Sequence, residues 1–151
     1  LLPEARARLH ESLVTLVAEA EAVGVTVALE NGWNGENHPL ITNGDEHVAI
    51  IEAVGSAALL ALFDVGHAHT FGVDLASYVQ RLRPYLAGIH LHDNTGRRDE
   101  HLPLGQGTVG RATIQRCFEA GVPVVLEMNA MADIEASLVY LETHLDAPEA
   151  S

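Results

Sequence analysis

Four residues of types that commonly bind metal ions each follow a short apolar segment of this sequence. They are Glu30 after Val25–Leu29, Asp64 after Ala58–Phe63, His90 after Leu86–Ile89, and Glu127 after Val122–Leu126. Three carboxylates and one imidazole brought together would repel one another strongly unless a divalent cation lay among them. The four residues therefore predict a metal site, provided that the elements before them end at the same place.

A second set of candidate ligands accompanies the first. Asp99 and His101 lie in the polar segment after His90, and His67 follows Asp64 by about one helical turn. Carboxylate-rich sites with one imidazole suit Mn²⁺, Mg²⁺ or Co²⁺, whereas additional histidines favour Zn²⁺. At this point both a mononuclear and a multinuclear site are open.

The intervening segments repeat a strand–helix pattern that would position these residues. Residues 3–23 have the apolar period of a helix that stops at Gly24, and Asp45, Asp74 and Asp133 are predicted to cap later helices. Strands that alternate with helices imply a parallel sheet with crossover helices, at roughly 30 residues per unit. This spacing fits either a doubly wound sheet or part of a (β/α)8 barrel, and both folds gather ligands at the carboxyl ends of their strands.

Composition limits the compartment and the partners. The chain has 151 residues, 48% of them hydrophobic, and 21 acidic against 8 basic residues give a formal charge of −13. A surface of this charge repels polyphosphate, which makes nucleic acid an unlikely partner, and no apolar run is long enough to cross a bilayer. We expect a cytoplasmic protein without a membrane partner, in which the single Cys117 is a small core residue and His10, His38, His47 and His144 are surface residues.

Five strings, in order along the chain, carry a resemblance to a known family. They are Ala28–Asn31, Phe63–His67, Gly88–Asp93, Asp99–Gly107 and Leu126–Glu127. The chain resembles the xylose isomerase-like TIM barrels, which include sugar and sugar-phosphate isomerases and epimerases and endonuclease IV. The resemblance implies an α/β fold of about four βα units, the C-terminal half of a TIM barrel, with residues 1–151 as one partial domain. Since a half barrel leaves two strand edges unpaired, we expect either a fragment of a longer product or two copies that pair as a homo-oligomer.

The epimerase branch of this family implies a set of roles. Glu30, Asp64, His90 and Glu127 would hold one divalent metal, Mn²⁺ or alternatively Mg²⁺ or Co²⁺, against a small-molecule keto sugar. Glu30 and Glu127 would be the acid and base that form and quench a cis-enediolate on the two faces of the sugar.

Substrate contacts follow from the same resemblance, and each has an alternative. His67 would contact a substrate hydroxyl or serve as a further metal ligand, and Arg97 or Arg98 would bind a second oxygen or a phosphate, or remain solvated. Trp33 would stack on the apolar face of the sugar or be structural. His69 and His92 would orient ligands by hydrogen bonds.

Two other activities are compatible with the sequence. An endonuclease IV-like zinc phosphodiesterase acting on abasic DNA would use Asp99 and His101 in a multinuclear zinc cluster, although the arginines of this chain are scattered and lysine is absent. A metal-dependent lyase or dehydratase acting on a polyol or keto acid would use similar chemistry. An inactive remnant is a further alternative for the chain alone, since residues upstream of Leu1 would be missing.

Overall fold

The computed structural model describes residues 2–35 and 39–145, which form four strands and six α-helices. The strands are β1 (Val27–Glu30), β2 (Leu59–Asp64), β3 (Leu86–Leu91) and β4 (Val124–Leu126). The helices are α1 (Leu2–Val23), α2 (Gly44–Val54), α3 (Val65–Thr70), α4 (Leu75–Leu82), α5 (Arg111–Glu119) and α6 (Met131–His144), and a 3-10 turn spans Arg83–Tyr85. The predicted alternation of strands and helices is confirmed.

The sheet has the strand order β1-β2-β3-β4, with every neighbouring pair parallel. A doubly wound sheet reverses its strand order at a switch point, whereas a barrel adds each strand beside the previous one. The observed order therefore matches a partial barrel. Because Asp64 pairs with His90 and Glu30 pairs with Leu62, the carboxyl ends of the strands lie together at one edge.

The core lies between one face of the sheet and the helices that cover it. In β2, Leu59, Ala61 and Phe63 are buried while Leu60 and Leu62, which alternate with them, are half-buried on the opposite face. Helices α2, α4 and α5 supply the other side of the core, to which each contributes buried apolar side chains, among them Val48, Leu82 and Ile114. Cys117 is buried in the same layer, as predicted.

Two of the three predicted helix caps differ from those in the structure. The side chain of Asn43, not that of Asp45, caps α2 by accepting a hydrogen bond from the Glu46 amide. Helix α6 begins after Ala130 without a side-chain cap, so the predicted Asp133 cap is wrong. The Asp74 cap is confirmed, since its carboxylate accepts two backbone N–H groups of α4.

One of the four histidines expected at the surface is buried. His47 is fully enclosed, with Nε2 donating to the Leu29 carbonyl at 2.8 Å and Nδ1 lying 3.3 Å from the Tyr78 hydroxyl. His10 and His144 are exposed, and His38 lies outside the described residues. Among the helices of the described ranges, none combines the length and apolar character needed to cross a membrane.

Candidate metal centre

Glu30, Asp64, His90 and Glu127 meet at the carboxyl edge of the sheet. One ligand atom from each lies within 4.8 Å of the others. His90 occupies the middle, with Nδ1 3.2 Å from Glu30 Oε1 and 2.8 Å from Glu127 Oε2. Asp64 approaches from β2, with Oδ2 4.0 Å from the same nitrogen. We call these four residues the strand-end cluster.

Burial differs sharply within the strand-end cluster. The Asp64 side chain has no exposed surface, whereas Glu30 is 36% and Glu127 44% exposed. Asp64 Oδ2 is buried and has no hydrogen-bond partner among the described residues, which is costly for a carboxylate oxygen. A divalent cation would satisfy that oxygen and neutralise its neighbours, so the donor set fits a metal ion.

Burial and nearby charges alter the proton affinity of Glu30. Burial and, after it, the Asp64 carboxylate raise the pKa of Glu30 above its usual value, with only partial compensation from His67 and His90. A carboxylate with a raised pKa is a stronger base than an ordinary carboxylate. Glu30 is thus accessible and electrostatically suited to move a proton.

His67, Asp99 and His101 form a second group beside the first. Asp99 Oδ2 lies 3.4 Å from His67 Nε2 and 3.1 Å from His101 Nε2. These separations match the edges of a coordination tetrahedron built with metal–ligand distances of about 2.0–2.2 Å. We call these three residues the loop cluster. His92 also has a ligand-type atom within 4.8 Å of the others in this group.

The two histidines of the loop cluster are held with Nε2 directed inward. His67 Nδ1 lies 2.9 Å from the Asn31 carbonyl, and His101 Nδ1 lies 2.7 Å from the Glu127 carbonyl. A backbone carbonyl selects the Nδ1–H tautomer and leaves the Nε2 lone pair free for a ligand. Since each carbonyl belongs to a residue in or next to the strand-end cluster, the two clusters share their backbone support.

Charge balance in the loop cluster rests on its histidines. Burial alone would lower the pKa of His67, but its bond to Asp99, the Asp64 charge and the Asn31 carbonyl outweigh this and raise the pKa to about 9. Burial would raise the pKa of Asp99, yet His67 and the charges of His101 and His92 lower it. The side chains therefore form an ion-paired group without a metal and a candidate N₂O ligand set with one.

The loop that carries Asp99 and His101 is organised by Asp93. Its buried carboxylate accepts the amides of Asn94 at 2.9 Å and of Gly105 and Val109 at 3.0 Å. The Asp93 backbone also pairs with Leu102 in an isolated antiparallel bridge. Next to this bridge, His101 has a φ of 51°, a left-handed conformation that costs energy in a residue with a Cβ. The surrounding hydrogen bonds thus hold His101 in a strained position at the cluster.

The predicted substrate-binding residues are dispersed. His67 lines a cleft of about 390 Å³ together with Glu30 and apolar residues such as Leu40. Trp33 is not among the described residues that line this cleft, and its indole packs so closely over Gly35 that a Cβ there would lie 1.7 Å from the ring. Arg97 and Arg98 are exposed on the loop after β3. Of the substrate-binding candidates, only His67 lies at the clusters.

Two asparagines support the clusters although neither is among the predicted site residues; Asn31 ends one of the five strings that carry the family resemblance, and Asn94 lies outside them. The Asn31 side chain exchanges two hydrogen bonds with the Asp64 backbone at 2.9 and 3.0 Å and so ties the ends of β1 and β2 together. Asn94 donates to the Gly66 carbonyl and accepts from the Gly96 amide, and His69 Nδ1 lies 2.7 Å from its Oδ1. His69, predicted to orient a ligand, therefore supports the loop through Asn94.

Several known proteins are similar to this chain in sequence or in fold. A probable endonuclease 4 of Mesomycoplasma hyopneumoniae is 28% identical over 139 residues, covering 82% of this chain and 49% of that protein. A solved D-tagatose 3-epimerase-like protein is 28% identical with a TM-score of 0.80, covering 91% of this chain and 53% of that chain. A Thermus thermophilus protein, TTHB071, solved after soaking with ZnCl₂, is 27% identical with a TM-score of 0.73, covering 99% of this chain and 58% of that chain.

The chain thus spans about half the length of these similar proteins. The family model described as xylose isomerase-like TIM barrel matches residues 2–144, nearly the whole chain. The parallel strand order and the ligand-type residues at the strand ends agree with that match. The chain therefore belongs to the xylose isomerase-like TIM barrel family.

Proposed function

We propose that the protein containing this chain is a divalent-metal-dependent sugar or sugar-phosphate isomerase or epimerase. The observation that carries the proposal is the arrangement of the strand-end cluster, in which two accessible glutamates flank His90 while Asp64 is buried. The similar D-tagatose 3-epimerase-like protein adds support from a relative of the same fold. Since the chain covers 53% of that relative, the proposal concerns the activity of the whole protein.

The acid and base of the proposed reaction are Glu30 and Glu127. They come from the two outer strands of the sheet, and each lies within 3.2 Å of His90 Nδ1. A sugar held between them would present opposite faces of one carbon to the two carboxyl groups. One glutamate would take the proton from the carbon beside the carbonyl, and the other would return a proton to the opposite face of that carbon, which inverts it. If a proton is instead returned to the former carbonyl carbon while a hydroxyl proton moves between the two oxygens, the sugar is isomerised.

The cofactor we propose for the strand-end cluster is Mn²⁺, Mg²⁺ or Co²⁺, because its donors are three carboxylates and one imidazole. Such an ion, when bound by Glu30, Asp64, His90 and Glu127, supplies Lewis-acid polarisation of the sugar carbonyl. For the loop cluster we propose Zn²⁺, because two of its three donors are imidazole nitrogens. Here His67 is a ligand rather than solely a contact to a substrate hydroxyl.

The loop cluster is also the observation that favours a second candidate function. A zinc phosphodiesterase acting on abasic DNA would use several neighbouring metal ions, and the similar probable endonuclease 4 supports this alternative. Against it stand the formal charge of −13 and the presence of only 8 basic residues, all of them arginine. We therefore place the isomerase first and the phosphodiesterase second.

The test is proton exchange with solvent at the carbon beside the carbonyl of a ketohexose. The purified protein loaded with Mn²⁺ is incubated with D-tagatose or D-fructose in D₂O, and deuterium incorporation is followed by NMR. We expect incorporation in the wild type and its loss in Glu127→Gln even at a Mn²⁺ concentration that saturates the variant. Glu142→Gln, which removes an exposed carboxylate of α6, is the matched control. Absence of incorporation together with cleavage of abasic DNA would establish the phosphodiesterase instead.

A further inference from the structure

His92 lies between the two clusters and faces a carboxylate of each. It is fully buried, and its Nε2 lies 3.3 Å from Asp64 Oδ1 and 3.4 Å from Asp99 Oδ1. The other oxygen, Oδ2, faces His90 in the case of Asp64 and both His67 and His101 in the case of Asp99. The outer oxygens of two candidate metal ligands therefore converge on one imidazole nitrogen.

We propose that His92 is a positioning residue shared by both metal sites, with its Nε2–H donated to Asp64 and Asp99 together. This inference rests on the metal sites of the proposed function. Buried polar atoms are nearly always hydrogen-bonded, yet Nε2 has no well-aligned single partner among the described residues. One N–H shared between two oxygens explains why both contacts lie slightly beyond the usual range of about 2.7–3.2 Å.

The alternative role of His92, as a further ligand of the loop cluster, conflicts with the orientation of its ring. His92 stacks on His101, with ring centroids 4.0 Å apart and planes inclined by only 18°. An imidazole nitrogen binds a metal ion along a lone pair that lies in the ring plane. An ion about 2 Å from both nitrogens cannot lie in two stacked planes, and His101 is already directed at Asp99. His92 is therefore suited to donate a hydrogen bond and His101 to bind the ion.

The space for His92 depends on a particular glycine. A Cβ added to Gly66 would lie 1.9 Å from His92 Cε1 and 2.3 Å from Nε2. Gly66 is in α3, which follows directly from Asp64 and also carries His67. An alanine at this position would displace the imidazole from the two carboxylates without replacing any metal ligand. The packing of Gly66 thus provides a second, independent way to perturb His92.

The experiment measures metal binding at both clusters in three forms of the protein. The wild type, His92→Gln and His92→Leu are titrated with Co²⁺ and Zn²⁺ in competition with a chromophoric chelator. Glutamine keeps an N–H donor near the position of Nε2, whereas leucine has none. We expect His92→Leu to weaken both sites by about 10- to 100-fold, as loss of a hydrogen bond to a ligand typically does, and His92→Gln to restore most of the affinity. His144→Leu, at an exposed histidine, is the control.

Three results would overturn the inference. If both His92 variants weaken only one site and change its Co²⁺ absorption spectrum, His92 is a ligand of that ion. Unchanged affinities in His92→Leu would remove the role altogether. If the wild type binds neither ion, the metal proposal itself has failed; the hydrogen bond is then judged in the metal-free protein by the His92 Nε2–H proton resonance, whose absence refutes it. If the leucine variant does not fold, Gly66→Ala replaces it in the titration. We expect Gly66→Ala to weaken both sites as His92→Leu does.

Discussion

Replacing Asp93 with asparagine should destabilise the protein and selectively weaken the loop cluster. The Asp93 side chain is 1% exposed, and its two oxygens accept three backbone N–H groups from both ends of the loop. Asparagine has nearly the same shape. The substitution therefore removes the negative charge and one acceptor while leaving the packing almost unchanged.

The expected loss in the free energy of unfolding follows from the individual hydrogen bonds of Asp93. Asparagine keeps an oxygen for the amides of Asn94 and Val109, but its NH₂ group would face the Gly105 amide, which now donates to Asp93 Oδ2 at 3.0 Å. Loss of one hydrogen bond to a charged group costs about 1.5–3 kcal/mol, and the two remaining bonds weaken as well. A total of about 3 kcal/mol corresponds to a fall in Tm of roughly 6–12 °C for a domain of this size.

Calorimetry of the metal-free protein and a Zn²⁺ titration together test this reasoning. The loop cluster should lose affinity for Zn²⁺ because Asp99 and His101 lie on the loop that Asp93 organises. The residues of the strand-end cluster lie at the ends of the β-strands and should be affected less. Asp45→Asn is the control, since Asp45 is 87% exposed in a surface ion pair with Arg81, a type of pair worth at most about 1 kcal/mol. A Tm within about 2 °C of the wild type, or equal losses at the two clusters, would refute the assigned role of Asp93.

Two further predictions concern histidines. Burial lowers the pKa of His47 from 6.5 to about 4 despite its bond to the Leu29 carbonyl, so protonation favours the unfolded chain. The contribution of neutral His47 to the free energy of unfolding should be fully present above pH 6.5 and should fall by about 3 kcal/mol as the pH drops toward 4. Urea denaturation across this pH range should show a smaller fall in His47→Gln, and an equal fall would contradict the assignment. His101→Gln should remove the loop-cluster ion and, in an isomerase, leave deuterium incorporation into the ketohexose measurable; abolition of a DNA cleavage activity by the same substitution would instead favour the phosphodiesterase.

The fold was predictable because its signals are local. Each strand is a short apolar run, each crossover has helical periodicity, and parallel pairing brings the carboxyl ends of successive strands to one edge. The pairing of Asp64 with His90 is a direct result of that geometry. The proximity of the four strand-end residues thus follows from sequence patterns, while their roles in binding and proton transfer stay predictions.

The misplaced residues show which local signals decide burial and capping. No motif surrounds His47, which favours a surface position, yet it precedes Ile51 by four residues and therefore shares the buried face of α2. Asn43 is two positions before Asp45, and both residue types are good caps, so composition alone does not choose between them. In the structure, the Asn43 side chain reaches the Glu46 amide at 3.0 Å.

The supports of the clusters were harder to foresee because they are long-range. Asp93 bonds to Gly105 and Val109 across a loop without periodicity, and the contact between Gly66 and His92 joins two different elements. The sequence shows the residue types but not which backbone amide or ring they will meet. Such contacts depend on the final packing of α3 against β3 and the loop, which no local propensity encodes.

Histidines lie among the acidic groups at this edge of the sheet and pair with them. Within the described part of the chain, the positive charge closest to Asp99 is supplied by histidines, and the raised pKa of His67, about 9, follows from its pairing with Asp99 and Asp64 despite burial. The His67 proton therefore occupies a position that a cation would take over. An ion that binds the loop cluster must displace this proton, because Nε2 cannot hold both. Binding there therefore competes with protonation of His67 throughout the neutral range.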